Sequence, residues 1–287
     1  MIDLLLEPFA YNYMAKAIWV SSLVGAVCAF LSCYLILKGW ALMGDALAHS
    51  VVPGVAVAYM LALPYAVGAF TSGILAAVGI AFVRRITLLR EDAVIGLVFT
   101  TLFAVGLLIV SINPTSVNVQ SIVLGNILAI SDEDVTQVIV IAAVSLTVLG
   151  LRWKDLMLTF FDESHARSVG LDPWRLRVLF FVLLSACTVA ALQTVGAVLV
   201  IAMVVTPGAT AYLLTDRFGV MIWLAMAIGA TASALGAYAS FFLDGATGGL
   251  IVVCQTLVFL AAFVFAPKHG RLAARRAVRI TAEATSR

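Results

Sequence analysis

Two side chains able to hold a cation sit four residues apart in an otherwise apolar run, Met43-Gly44-Asp45-Ala46-Leu47-Ala48-His49-Ser50-Val51-Val52-Pro53-Gly54. On an α-helix that spacing puts Asp45 and His49 on one face with Cβ atoms ~6 Å apart, close enough to share one metal ion. An Asp at the middle of a membrane helix costs at least ~2.5 kcal/mol on insertion scales, so an ionisable pair there calls for a reason. A hydrogen bond that stiffens a helix interface is the competing explanation, although a neutral pair such as Ser and Asn would serve that purpose at lower cost. A carboxylate with an imidazole suits Mn²⁺, Fe²⁺ or Zn²⁺, and two copies of the helix would bring four ligands where one brings two. Pro53 removes the backbone donor to the His49 carbonyl, and Pro207 does the same to that of Met203, so both predict helix breaks beside a pathway or simple kinks. Cys28, Cys33, Cys187 and Cys254 lie in apolar segments without metal-ligand spacing and read as small hydrophobes. His165 and His269 fall in polar stretches and read as surface residues.

The elements that position Asp45 and His49 are membrane helices. Hydrophobic residues make up 63% of the 287 and charged residues 11%, with mean hydropathy +1.13. A water-soluble domain of that composition would have a greasy surface. Apolar runs of roughly 18 to 24 residues match the length of a helix crossing a bilayer. A transmembrane barrel would need alternating segments of ~10 residues, whereas 17–37 is apolar on every face. The expected fold is an all-α polytopic bundle of about eight or nine crossings, at 17–37, 41–62, 65–83, 93–112, 134–151, 176–192, 195–214, 218–241 and 247–266. The segment 117–131 is apolar enough for a short re-entrant or interfacial helix. The whole of 1–287 reads as one transmembrane domain, with a cytoplasmic segment at 152–175 and a basic cytoplasmic tail at 267–287. No basic start or small-residue cleavage site opens the chain, so no signal peptide is expected.

Lys and Arg gather at Arg84, Arg85 and Arg90, between Arg152 and Arg177, at Arg217, and from Lys268 onward. The connections 63–65, 113–133 and 242–247 contain neither residue. The basic loops should be cytoplasmic, which places the N-terminus outside and the C-terminus inside, with Lys16 as a mild exception. The tail should rest on anionic lipid rather than nucleic acid. Within the cytoplasmic stretch, Asp162 is a good N-cap, Gly170 a good residue just past a helix end, and Pro173 a stop. They predict a helix of about two turns over 162–170, with Ala166 and Val169 on one face to fit a partner's groove, or else a plain interfacial linker.

These blocks resemble the metal-type permeases of ABC importers, which serve manganese, iron and zinc. Met43 to His49 with Val52-Pro53-Gly54 is similar to that family's metal motif. Asp162 to Gly170 resembles its coupling helix, including Glu163 and Arg167. Gln193-Thr194-Val195-Gly196 with Thr206-Pro207-Gly208-Ala209-Thr210-Ala211 is a third matching block. The Pro at position 53 points to the manganese and iron branch. The resemblance implies Asp45 and His49 as ligands of a transported ion, with no permanently bound cofactor. It also implies a cytoplasmic ABC ATPase dimer, a second identical or homologous permease, an extracytoplasmic metal-binding protein, and a place in the bacterial inner membrane.

No Lys follows a Gly, so the chain holds no phosphate-binding loop and hydrolysis must belong to a partner. Manganese is the expected substrate, with iron and zinc as alternatives. An ion-coupled secondary carrier would use Asp45 as its ion site, but it has no need of a helix at 162–170. An intramembrane metalloprotease fails for want of an H-E-x-x-H motif.

Overall fold

The computed structural model describes residues 7–112, 127–196 and 200–266. Its helices run α1 (Asn12–Lys38), α2 (Ala41–Ser50), α3 (Val52–Met60), α4 (Tyr65–Ile86), α5 (Glu91–Ile112), α6 (Asp132–Phe161), α7 (Glu163–Ser168), α8 (Pro173–Val195), α9 (Val200–Leu214), α10 (Phe218–Leu243) and α11 (Thr247–Phe265). A single 3-10 turn, Ile127–Ala129, precedes α6. The other residues expected in a short helix at 117–131 lie mostly outside the described residues, as does the basic tail.

Eight spans are long and apolar enough to cross a bilayer, with α2 and α3 forming one of them as Ala41–Met60. The ninth expected crossing corresponds to α9, whose 15 residues rise about 22 Å against a core of ~30 Å. In the other direction, α6 is 30 residues long and continues to Phe161. The crossing expected to end at 151 therefore carries ten more residues, and the first part of the cytoplasmic segment is the end of this helix. Arg152 and Asp155 pair at 3.0 Å along it, so the charges there do not interrupt it.

Caps set the polar ends. Ser131 accepts the Asp134 N–H and donates to the Asp134 carboxylate, and Asp132, Glu133 and Asp134 occupy the first turn of α6, where the helix dipole favours them. Asp172 accepts the N–H groups of Trp174 and Arg175 ahead of Pro173 at the start of α8. Contacts sort the loops by end: Lys16 pairs with Asp132 at one, while Arg84 lies over the Trp40 ring and Tyr34 meets Phe218 at the other. The pairing with Asp132 accounts for Lys16.

At the centre, α1 packs on α6, α8, α9 and α10. The α1–α10 crossing is made by small residues, since a Cβ on Gly25 would overlap the Gly229 carbonyl and Ser233, and one on Gly229 would overlap Gly25. With no hydrophobic drive between helices in lipid, such close backbone approach is what gains dispersion energy. Toward the Arg-rich end, Tyr34 is fully buried against Phe160, Phe180 and Phe218 and donates to the Trp153 carbonyl at 3.1 Å.

Candidate functional site: a broken intramembrane helix and a capped loop

The α2 helix buries one side and leaves the other open. Met43, Gly44, Leu47 and Ala48 are buried, and Gly44 lies so near α9 that a Cβ there would stand 3.1 Å from Val204 Cγ1. Asp45 and His49 share the more open side, their side chains 31% and 25% exposed. His49 Nε2 lies 3.4 Å from Asp45 Oδ1, beyond the usual length of an N–H to oxygen hydrogen bond. The two groups thus face each other without being locked together, an arrangement that leaves lone pairs for a third atom. Phe99 and Phe103, one turn apart on α5, set their ring centroids 5.5 Å from the imidazole. The helix that carries these two rings is the least covered of the long helices described. No group of three or more His, Cys, Asp and Glu side chains able to hold a metal exists among the described residues. One copy of the chain brings two such ligands here.

The helix changes course just past His49. Val51 has helical φ and ψ of −68° and −28°, α2 ends at Ser50, and α3 begins at Val52 with Pro53 in its first turn. Pro53 has no N–H to offer the His49 carbonyl, and the first bond across the joint runs from the Val55 N–H to the Val51 carbonyl at 3.0 Å. From α4, Ser72 Oγ donates to the Ser50 carbonyl. Gly54 lies against Gly68, where an added Cβ would overlap the carbonyl. Pro53 is buried, and a Cβ on Gly106 of α5 would overlap its ring. Pro207, by contrast, lies inside an unbroken α9. Beside it Ser32 of α1 accepts the Gly208 N–H at 3.1 Å and donates to the Val205 carbonyl at 2.9 Å.

The loop between α6 and α8 holds the expected short helix, shortened to Glu163–Ser168. Asp162 caps it by accepting the His165 N–H at 2.9 Å. At its other end the Gly170 N–H bonds the Arg167 carbonyl and the Leu171 N–H bonds the Ala166 carbonyl, both at 3.0 Å, a Schellman closure that requires the positive φ of Gly170, 87°. Ala166 and Val169 do not share a face as expected: Ala166 is wholly buried within the chain, whereas Val169 is 61% exposed. Val169 is the C-cap, where the helical repeat has ended, and it is exposed together with Ser164, His165, Arg167 and Ser168. Glu163 binds Arg167 at 2.7 Å and Arg177 of α8 at 2.8 Å. Partial burial pushes the Glu163 carboxyl up, but hydrogen bonds and charge from Arg167 and Arg177 outweigh it and hold the group below its ordinary value.

His165 is exposed, as expected, and His269 lies outside the described residues. Cys28, Cys33 and Cys187 are buried free thiols and Cys254 is half-buried. Of the third motif block, Gln193 donates to Asp134 at 3.2 Å, and a positive φ at Gly196 ends α8. Ser32, Ser72, Phe99, Phe103 and Arg177 were not expected at these places. Gly and Ser spaced by four, as in Gly68 and Ser72, could have marked one close contact. Phe99 and Phe103 repeat the four-residue spacing of Asp45 and His49. Arg177 carries no local signal.

The sequence profile of the ABC 3 transport family matches residues 10–266. The chelated iron transport system membrane protein YfeC of Yersinia pestis is 72% identical over 98% of this chain and 95% of its own length. The manganese transport system membrane protein MntB of a Synechocystis species is 50% identical, over 94% of this chain and 88% of its own. Among solved structures, PsaBC from Streptococcus pneumoniae in complex with Fab superposes with a TM-score of 0.86 at 34% identity, covering 96% of this chain and all of that one. A family profile that runs from the first crossing to the last, on a bundle with eight described spans long and apolar enough to cross a bilayer, makes this chain a membrane permease of the ABC 3 transport family.

Proposed function

We propose that the chain is the permease subunit of an ATP-driven importer that carries Mn²⁺ or Fe²⁺ across the bacterial cytoplasmic membrane, with Asp45 and His49 as ligands to the ion in transit. The observation that carries this reading is the facing, unlocked Asp45–His49 pair on the open side of a broken intramembrane helix. Relatives named for iron and for manganese, at 72% and 50% identity, support both ions, which accept nitrogen and oxygen ligands alike. A secondary carrier driven by an ion gradient does not fit a family of ABC transport proteins.

Two ligands replace too little of a divalent ion's hydration shell. A second permease, identical or homologous, would supply two more by bringing its own pair against this one across a two-fold axis, and the light cover over α5 leaves room for that approach. A cytoplasmic ATPase dimer would engage the open side of α7, and an extracytoplasmic metal-binding protein would deliver the ion to the far end. A site that stays incomplete within each chain also lets the ion leave, because separating the two halves removes half of its ligands.

Uptake of ⁵⁴Mn and ⁵⁵Fe by cells expressing the complete transporter tests the ligands. Asp45→Asn and His49→Ala should each abolish uptake while the complex still assembles. Near-normal uptake of both ions by well-expressed variants would end the reading. Metal stoichiometry in the purified complex tests the sharing: one ion per two permeases is expected, and two independent sites would return the pair to a single chain.

A further inference from the structure

At the Arg-rich end a cavity of about 420 Å³ opens between α4, α7 and α8. Three guanidiniums line it, those of Arg84, Arg167 and Arg177, against one carboxylate, Glu163. Glu163 is engaged by Arg167 and Arg177 together, so the cavity keeps a surplus of positive charge. From there a groove descends between α4 and α8 over Ile74, Val78 and Val182, with only apolar side chains along it. Trp174, 48% exposed, and Phe181 line both the cavity and the groove. A Trp at such a junction marks the level where headgroups meet hydrocarbon.

A basic cup above a greasy channel fits an amphiphile with an anionic head. Guanidinium forks match phosphate oxygens in pairs, and basic pockets between membrane helices at a cytoplasmic face hold anionic headgroups. We infer that the cavity and groove together bind one anionic phospholipid, its phosphate among Arg84, Arg167 and Arg177 and the start of an acyl chain between α4 and α8. Free phosphate would use the cup and ignore the groove. An acidic side chain from a protein partner would do the same. The lipid would tie α4, which packs on the broken helix pair, to α7. The inference depends on membrane insertion and not on the identity of the transported ion.

The complete transporter, purified in mild detergent and supplied with phosphatidylglycerol or phosphatidylcholine, provides the test. Native mass spectrometry would count retained lipid, and a thermal shift would report its affinity. Arg177→Gln and Glu163→Gln both sever the same ion pair but move the charge of the cup in opposite directions. Arg177→Gln should weaken phosphatidylglycerol roughly fivefold, the contribution of one basic residue at an anionic surface, whereas Glu163→Gln should hold or strengthen it. Arg84→Gln, which leaves the pair intact, should weaken it by a similar factor. Equal losses in Arg177→Gln and Glu163→Gln would reduce the cluster to a structural clasp, and equal retention of both lipids would remove its charge preference. Inorganic phosphate that protects as well as phosphatidylglycerol would leave a headgroup site without a lipid. Lipid retained by the permease alone but lost in the complete complex would assign the cup to a protein partner.

Discussion

The chain has two Pro-Gly steps inside apolar helices, Pro53-Gly54 and Pro207-Gly208, and they come out differently. Each glycine is pressed against a neighbouring helix at a serine, Gly54 against Ser72 of α4 and Gly208 against Ser32 of α1. At the second step Ser32 both accepts the Gly208 N–H and donates to the Val205 carbonyl, and α9 runs through without a break. At the first, Ser72 donates to the Ser50 carbonyl, and the helix divides at Val51, two residues past His49. A proline therefore does not by itself decide whether a membrane helix kinks or breaks. The two joints differ in what the neighbouring serine gives the backbone, two hydrogen bonds in the unbroken α9 and one at the break two residues past His49.

The largest effects should separate the two joints. Gly208→Ala drives a methyl group into the Ser32 backbone, and α1 cannot retreat because its other contacts include the Gly25–Gly229 crossing. Overpacking of this kind costs ~1–3 kcal/mol, more than the ~1 kcal/mol that Ala regains in helix propensity, so the variant should lose thermal stability and yield. Gly54→Ala meets the Gly68 carbonyl even more directly. Yet α3 has only nine residues and a joint at its start, so it can tilt away. This variant should lose less stability than Gly208→Ala and transport poorly, because the tilt strains the joint at Val51, two residues past His49 on α2. If both variants lose stability alike in thermal unfolding of the purified complex, the joint at Val51 is as clamped as the other.

The difference between the joints was not legible in the sequence, whereas most of the fold was. Apolar length and the placement of Lys and Arg fix the crossings and their ends, since both follow from the bilayer acting on each segment separately. Asp162 and Gly170 were legible for the same reason: a cap bonds to backbone within a few residues. Asp45 and His49 stood out because charge is rare and costly inside a membrane. The inward turn of Ala166, the serines behind the prolines and the reach of Arg177 to Glu163 depend on contacts between distant parts of the chain. The overrun of α6 to Phe161 has another source: once the hydrocarbon ends, Arg152, Lys154 and Asp155 are good company for a helix in water, and hydropathy does not register its continuation.

A smaller effect tests the repair of α9. Ser32→Ala takes away the acceptor of the Gly208 N–H and the donor to the Val205 carbonyl in apolar surroundings where little else can replace them. An unsatisfied buried donor costs ~1–3 kcal/mol, so thermal stability should fall by that order while metal affinity, measured by isothermal titration of the complex, stays near that of the parent. Unchanged stability would mean that the backbone of α9 closes on itself once the serine is gone.

The smallest effect belongs to Ser72→Ala. The group that loses its partner is the Ser50 carbonyl, and a carbonyl with two lone pairs tolerates under-satisfaction better than an N–H does. The cost in stability should be about 1 kcal/mol or less. The consequence should instead appear next door, as a modest change in metal affinity, because the bond holds α2 to α4 one residue past His49. Pro53→Ala sharpens the test. Restoring an N–H at position 53 allows a bond to the His49 carbonyl and favours one continuous helix, in which the Ser50 carbonyl can be satisfied by the helix itself. Ser72→Ala should then have less effect on metal affinity in the Pro53→Ala background than in the parent, a non-additivity that a double-mutant cycle reads directly. Additive effects would show that Ser72 and Pro53 act independently, and the broken joint beside Asp45 and His49 would owe nothing to the serine behind it.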